Sequence, residues 1–411
     1  MPQNWAGSHT YEAARIVSVR SRDDLVAALA TPGRVHALGT RHSFTDLPDT
    51  DGTLIEMSTW VPPVVIEGDT VRVGAGTRYA VLAAQLEDAG RALHNTGSLP
   101  HINVGGATAT GTHGSGDRNG VLTTAVRALT FADAAGTFHT VRREDADFAA
   151  LAVGVGAFGV VTELELETQP TYRVRQDIYA GVSWGAILDD VDAVTTAGDS
   201  VSVFTRWDDN SIVWIKKRVA DDAEQPVGTL LDGVLADHEL SPLGTGDNVT
   251  PLGVPGVWYQ RLPHFRADRE PSYGDEIQSE YFIDRTHAAA ALAAIRAIAD
   301  GFREHLNVTE LRTAAADDLW LSGAYQRESF IIHFTWLNHP DQVREALVGI
   351  EAALAPFDAR PHWGKLHLFD RERLEAVVPR LAEARAVYER IDPDGRFVNN
   401  HLVRVGLREA R

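Results

Sequence analysis

The rhythm of hydrophobic and polar positions changes along this chain. Up to about residue 170, short apolar runs alternate with turns, which predicts strands over 34–38, 54–57 and 71–73. Residues 79–89 carry apolar side chains at helical spacing, with Gly90 as the stop. Residues 126–131 and 137–141, joined across Ala134-Ala135-Gly136, read as a hairpin, 148–153 as a short helix, and 160–166 as an alternating strand. From about Thr171 the runs lengthen. Strands are expected over 173–178, 200–206, 211–217, 280–283, 308–313 and 330–337, with helices over 184–195, 287–299, 341–354 and 373–391. Residues 220–256, rich in Asp, Gly and Pro, read as a solvated surface excursion, with an active-site lid as the lesser reading. Asn399-Asn400-His401 reads as part of a polar tail. Strands followed by covering helices in this order give an α+β class, with an antiparallel sheet covered on one side in the second half.

A chain of 411 residues is long enough for two domains, each with its own core. Its net charge of -19 argues against nucleic acid or an anionic membrane surface as partner. The absence of cysteine excludes disulfides, thiolate chemistry and cofactor attachment through sulfur. The first twenty residues lack an uninterrupted apolar core of signal-peptide length, and no later stretch has the length to span a bilayer. The default is a cytoplasmic enzyme, a monomer meeting only small molecules, and the Asn248 and Asn307 glycosylation patterns then mean little. The sixteen histidines include no H-E-x-x-H and no tight triad, so no metal is expected. Of 38 basic residues only Lys216, Lys217 and Lys365 are lysine, which makes Lys365, in His362-Trp363-Gly364-Lys365, stand out.

Two glycine-bearing loops carry the chemistry. Gly39-Thr40-Arg41-His42-Ser43-Phe44 and Gly105-Gly106-Ala107-Thr108-Ala109-Thr110-Gly111-Thr112-His113-Gly114 combine small residues, which let backbone approach a ligand, with histidines. A histidine in such a loop can act as a nucleophile towards a bound cofactor, so the pair points to a flavin dinucleotide with covalent attachment open. Gly154-Val155-Gly156-Ala157-Phe158-Gly159 fits G-x-G-x-x-G but follows a helix and precedes a strand, the reverse of the Rossmann order. In the second half, Glu310 and Arg312 share one strand face, as do His333 and Thr335 on the next, since side chains repeat every two residues. Such pairs make either a polar wall for a polyhydroxylated ligand or a solvated sheet face with a weak ion pair.

These blocks, with Asn4-Trp5-Ala6-Gly7, Ser98-Leu99-Pro100-His101-Ile102, Glu310-Leu311-Arg312-Thr313 and His333-Phe334-Thr335-Trp336, resemble the vanillyl-alcohol-oxidase-type flavoproteins, and within them the alditol oxidases. The resemblance implies a two-domain FAD-binding fold: residues 1–170, completed by 371–411, hold FAD, and 171–370 form an antiparallel-sheet cap over the substrate. It implies His42 as the covalent link to FAD. Ala37, Leu38, Gly39, Thr40, Arg41, Ser43, Ser98, Asn103, Gly106, Thr110, Gly111, Thr112, His113, Val161 and His362 would line the cofactor. Ser98, Glu310, Arg312, His333, Thr335 and Lys365 would meet the substrate, with Lys365, Arg312 and Glu310 as the catalytic group. The implied reaction oxidises the terminal CH–OH of a small polyol (xylitol or sorbitol) with oxygen as acceptor, an aldonolactone being the alternative substrate. Two departures stand out: Asn103 replaces an expected serine, and Gly97 an expected alanine beside the flavin edge, where glycine leaves oxygen access open.

Overall fold

The computed structural model describes residues 2–220, 226–242, 250–269 and 274–411. Three larger sheets and a two-stranded pair, Arg91–Ala92 with Gln169–Pro170, organise them. Arg15–Ser18, Thr53–Glu56 and Val35–Leu38 lie side by side, all parallel. A five-stranded antiparallel sheet follows in the order Val65–Glu67, Thr70–Gly74, Val160–Glu167, Val126–Ala132, Phe138–Arg142. The alternation expected at 160–166 is present as buried residues at every second position of Val160–Glu167. The hairpin closes through Gly136 at φ +80°, a conformation glycine adopts without penalty.

The second half builds one ten-stranded antiparallel sheet. Its order is Thr229–Leu230, Gly233–Leu235, Arg173–Val182, Ser211–Val219, Ser200–Thr205, Leu306–Ala314, Ser329–Leu337, Glu276–Asp284, Arg360–Pro361, with Gly256–Val257 also on Arg173–Val182. Its centre is buried on both faces. Ile332, Phe334 and Trp336 face an apolar layer closed by Ala288–Ile298 and Pro340–Leu354, whose buried stripes are Ala291, Leu292, Ile295 and Val343, Leu347, Ile350. Trp207 stacks between Trp184 and Phe334 at 5.1 and 6.1 Å. Helices cover this side of the sheet; the opposite face carries the polar pairs.

The structure corrects several expectations. The helix expected over 184–195 is two, Trp184–Asp189 and Val191–Thr195, because Asp190 leaves helical geometry to cap the second through the Ala193 N–H. The helix expected over 373–391 becomes Arg371–Val377 and Leu381–Ile391: Pro379 pushes Val378 into extended backbone. The polar tail is a half-buried helix, Asn400–Arg404, with His401 and Leu402 inward, capped by Asn399, whose amide also donates to Leu47 O and Asp49 O. The excursion over 220–256 contributes three short strands, and Ala236, Leu240 and Leu252 pack around Trp214; its residues 221–225 and 243–249, with Asn248, lie outside the described residues. After it, Trp258–Arg261 forms a helical turn that the pattern did not announce.

The chain's end returns to its beginning. Val35 N–H bonds to Arg396 O, Tyr388 donates to Ala150 O and stacks on Phe158, and Arg408 is clasped by Asp392 and Ala157 O.

Candidate active site

One cavity of about 1770 Å³, its open mouth included, runs between the loops of the first half and the polar face of the large sheet. Its loop side is lined by His36 to Phe44, Gly97 to Leu99, Ile102 to His113 in part, and Val155, Gly156, Gly159 and Val161. Its sheet side is lined by Glu276, Gln278, Glu280, Glu310, Arg312, His333 and Thr335, and one end by His362, Gly364 and Lys365. The G-x-G-x-x-G lookalike does connect a helix to a strand, and part of it still faces the cavity.

The two glycine loops are tied together by Asn103. Its amide donates to Ala75 O at 2.8 Å, and its Oδ1 accepts from Thr40 N and Oγ1, both at 3.3 Å. Gly39 and Gly106 flank it so closely that an added Cβ would stand 2.6 and 2.9 Å from that oxygen. Here glycine is required by close approach, and the longer amide in place of serine bridges the loops. At Gly97, by contrast, a Cβ would meet nothing nearer than Thr112 Cγ2 at 3.5 Å. Packing tolerates a side chain there, so its absence widens the cavity.

Every residue expected at cofactor or substrate lines this cavity except Gly111. Gly111 stands off it at φ +68°, making the left-handed turn that brings the Thr110 and Thr112 hydroxyls to 3.2 Å. His42 lies against Trp5, ring centroids 5.0 Å apart. Burial lowers it to about 3, with His101 and Lys365 acting in the same direction, so its imidazole keeps a lone pair at neutral pH. Small residues, hydroxyls, a neutral imidazole and the apolar Ala37, Leu38 and Val161 fit a group that joins flat apolar rings through a polar linker, as FAD does.

On the sheet side the solvated-face reading fails. Glu310 pairs with Arg312 Nε at 3.2 Å while both are buried, and Arg312 Nη1 donates to Ser98 Oγ at 3.0 Å. Burial alone would raise the Glu310 carboxyl; Arg312 and His264 outweigh it and hold the group well below the usual carboxylate range. Register puts Glu310 opposite His333 and Glu280 opposite His333 on its other side. Glu280 Oε2 accepts from His333 Nδ1 at 2.7 Å, and Oε1 accepts from His113 Nε2 at 2.9 Å. His333 Nε2 lies 3.2 Å from Thr335 Oγ1. Against desolvation, which pushes the other way, the neighbouring His113 and His362 keep Glu280 ionised. Lys365 Nζ donates to Gln278 Oε1 and sits 5.1 Å over the Phe44 ring; burial lowers its pKa, while Glu280 and Glu276 oppose.

Sequence reasoning missed Glu276, Gln278, Glu280 and His264. The first three repeat at i, i+2, i+4 on one strand face, a signal present in Glu276-Ile277-Gln278-Ser279-Glu280. His264 lies in irregular chain after the Trp258–Arg261 turn, and no spacing marks it.

Comparison with known proteins agrees with this geometry. A family model described as FAD binding domain matches residues 13–142, and one described as D-arabinono-1,4-lactone oxidase matches 272–405. The chain is 38% identical over 409 residues to an alditol oxidase of Streptomyces sp. (strain IKD472 / FERM P-14339), covering 97% of each. It is 27% identical to an L-gulono-1,4-lactone dehydrogenase of Mycobacterium tuberculosis, covering 98% of each. Among solved structures, cholesterol oxidase from B. sterolicum aligns with a TM-score of 0.78 at 14% identity, covering 98% of this chain and 96% of that one. Glucooligosaccharide oxidase from Acremonium strictum, a 6-S-cysteinyl, 8α-N1-histidyl FAD protein, aligns with 0.76 at 16%, covering 99% and 94%.

Proposed function

The chain belongs to the alditol oxidase family of FAD-dependent oxidoreductases with the vanillyl-alcohol oxidase fold, and from that premise we propose that it oxidises the terminal CH–OH of small alditols such as xylitol and sorbitol. The products are an aldose and, with oxygen as acceptor, hydrogen peroxide. The observation that carries this reading is the wall of buried Glu310, Arg312, His333 and Thr335, with the partly buried Lys365, facing the two loops across one cavity. Two adjacent strands supply donors and acceptors at strand spacing, and a turn adds Lys365, which suits a ligand with a hydroxyl on successive carbons.

FAD, when bound, would supply the two-electron acceptor for oxidation of the CH–OH. His42, which lines the cavity beside Trp5, would hold FAD covalently. With no cysteine in the chain, a histidyl bond is the attachment available of the two named for the Acremonium oxidase. Arg312 and Lys365 hold the reacting hydroxyl and stabilise negative charge as it develops on that oxygen. His333 takes the hydroxyl proton at Nε2; Glu280, bonded to Nδ1, orients the ring and stabilises the imidazolium that results, and His113 holds Glu280 in turn. Glu310 accepts a hydrogen bond from the neighbouring hydroxyl and balances the two cations. Burying these charges is tolerable because Glu310 and Arg312 pair with each other and the Lys365 ammonium donates to Gln278; a charge left unpaired would cost several kcal/mol, on the order of 3–5.

The D-arabinono-1,4-lactone oxidase model over 272–405 supports the alternative, an aldonolactone substrate. Purified protein assayed for peroxide against a panel of alditols and aldonolactones separates the two. The expected outcome is turnover of xylitol or sorbitol with lactones slower; turnover of lactones alone would overturn the alditol reading.

A further inference from the structure

Lys216 is the second of the three lysines to be withdrawn from water, and nothing in the mechanism above uses it. It is 1% exposed, on the strand Ser211–Val219. Burying a lysine is unfavourable unless its ammonium is fully partnered. Three acceptors surround Nζ: Leu262 O at 2.6 Å, Pro263 O at 2.9 Å and His264 Nδ1 at 3.1 Å. An ammonium has three N–H groups, so the site consumes all of them.

The ring of His264 then has its protonation fixed from both sides. Its Nε2 lies 2.7 Å from Glu310 Oε1, an acceptor when ionised, so Nε2 carries the hydrogen. Burial holds His264 at about 4, with Glu310 opposing and Lys216 reinforcing, so the ring carries one proton at neutral pH. Nδ1 is therefore a lone pair, and Lys216 is the donor to it. Burial and Arg312 push the Lys216 ammonium towards losing its proton, and Glu310 resists them. Phe204 and Trp214 grip the His264 ring edge-on at 5.7 and 5.3 Å, leaving little room for rotation. The same segment reaches the other side of the cavity: His264 N and Phe265 N both donate to Ser98 O, at 3.0 and 3.1 Å. Ser98 Oγ in turn accepts from Arg312.

We propose that Lys216 is a positioning residue that acts through the Nε2–H tautomer of His264 to aim the Glu310 carboxylate at the substrate hydroxyl next to the reacting carbon. With Oε1 shared between His264 and Arg312, Oε2 is the oxygen left to accept from a substrate. The relay thus favours polyols over alcohols that lack a hydroxyl beside the one oxidised. This inference rests on the alditol reading for its substrate, and on the hydrogen-bond chain alone for its tautomer.

The test uses the FAD-loaded enzyme and xylitol. Lys216→Met should raise the xylitol KM about tenfold, as loss of one hydrogen bond to a charged group would, with kcat changed less and the flavin spectrum retained. In a Glu310→Gln background the same substitution should add nothing. His264→Gln, which keeps an amide N–H aimed at Glu310, should recover more of the KM than His264→Phe. Multiplying effects in the double variant, or an unchanged KM in Lys216→Met, would overturn the proposal. A readout independent of substrate is the ¹⁵N spectrum of labelled histidine, with His264 assigned by its loss in His264→Gln. A single Nε2–H form in the wild type supports the relay, even if xylitol is not turned over; an Nδ1–H form overturns it, and this spectrum decides should Lys216→Met fail to fold.

Discussion

Lys365 enters the cavity from a buried turn, clasped by Gln278 and lining the same cavity as Arg312 and Glu310. Its scarcity among arginines made it visible in the sequence; its partner did not show, because Gln278 is remote in the chain and has no motif of its own. On the proposed reading, replacing Lys365 by methionine removes a cation at the developing alkoxide while keeping the side chain's length. Stopped-flow flavin reduction should slow about 10²- to 10³-fold, the scale of one lost electrostatic donor, with the yellow colour retained; reduction at the wild-type rate would contradict the assignment. His42 makes a separate prediction. In His42→Ala the flavin should leave the protein on acid precipitation, whereas in the wild type it should stay with the pellet. Flavin that stays with the His42→Ala pellet would place the bond elsewhere.

At the scale of elements, strands with strict alternation were legible nearly residue for residue, and helices with a clear apolar stripe likewise. What escaped was decided by single residues with two roles. Asp190 ends one helix and caps the next, Pro379 interrupts a pattern whose periodicity continues across it, and Asn399 turns a polar stretch into a buried cap. Asn399 carries the largest consequence, because its amide also satisfies two carbonyls of the 47–49 loop. Asn399→Ala loses the cap and leaves those carbonyls unpaired, a cost of about 2 kcal/mol. Urea unfolding should show it as a lower midpoint at unchanged slope; a loss under about 0.5 kcal/mol would mean that water replaces the amide there.

Across the whole molecule, the site exists because the loops of one sheet system and the polar face of another enclose a common cavity. Local pattern could supply each wall and the resemblance their joint purpose, but the Glu280 and His264 partners arise only when remote segments meet. That closure buries histidines. Burial lowers His36 to about 4, His367 to about 3 and His264 to about 4 from an ordinary value of 6.5. Each binds its proton more weakly folded than unfolded, so the stability it contributes is full above about pH 6.5 and drains as pH falls towards 3–4. The melting temperature should fall steadily as pH drops from 6.5 to 5; a constant value across that range would contradict this. The central claim, an FAD-dependent alditol oxidase, is tested most directly by following flavin absorbance while xylitol is added without oxygen and air is then admitted. The account predicts bleaching, then recovery of the oxidised spectrum with peroxide formed in step. A flavin that stays oxidised under xylitol and sorbitol yet bleaches with an aldonolactone would contradict it.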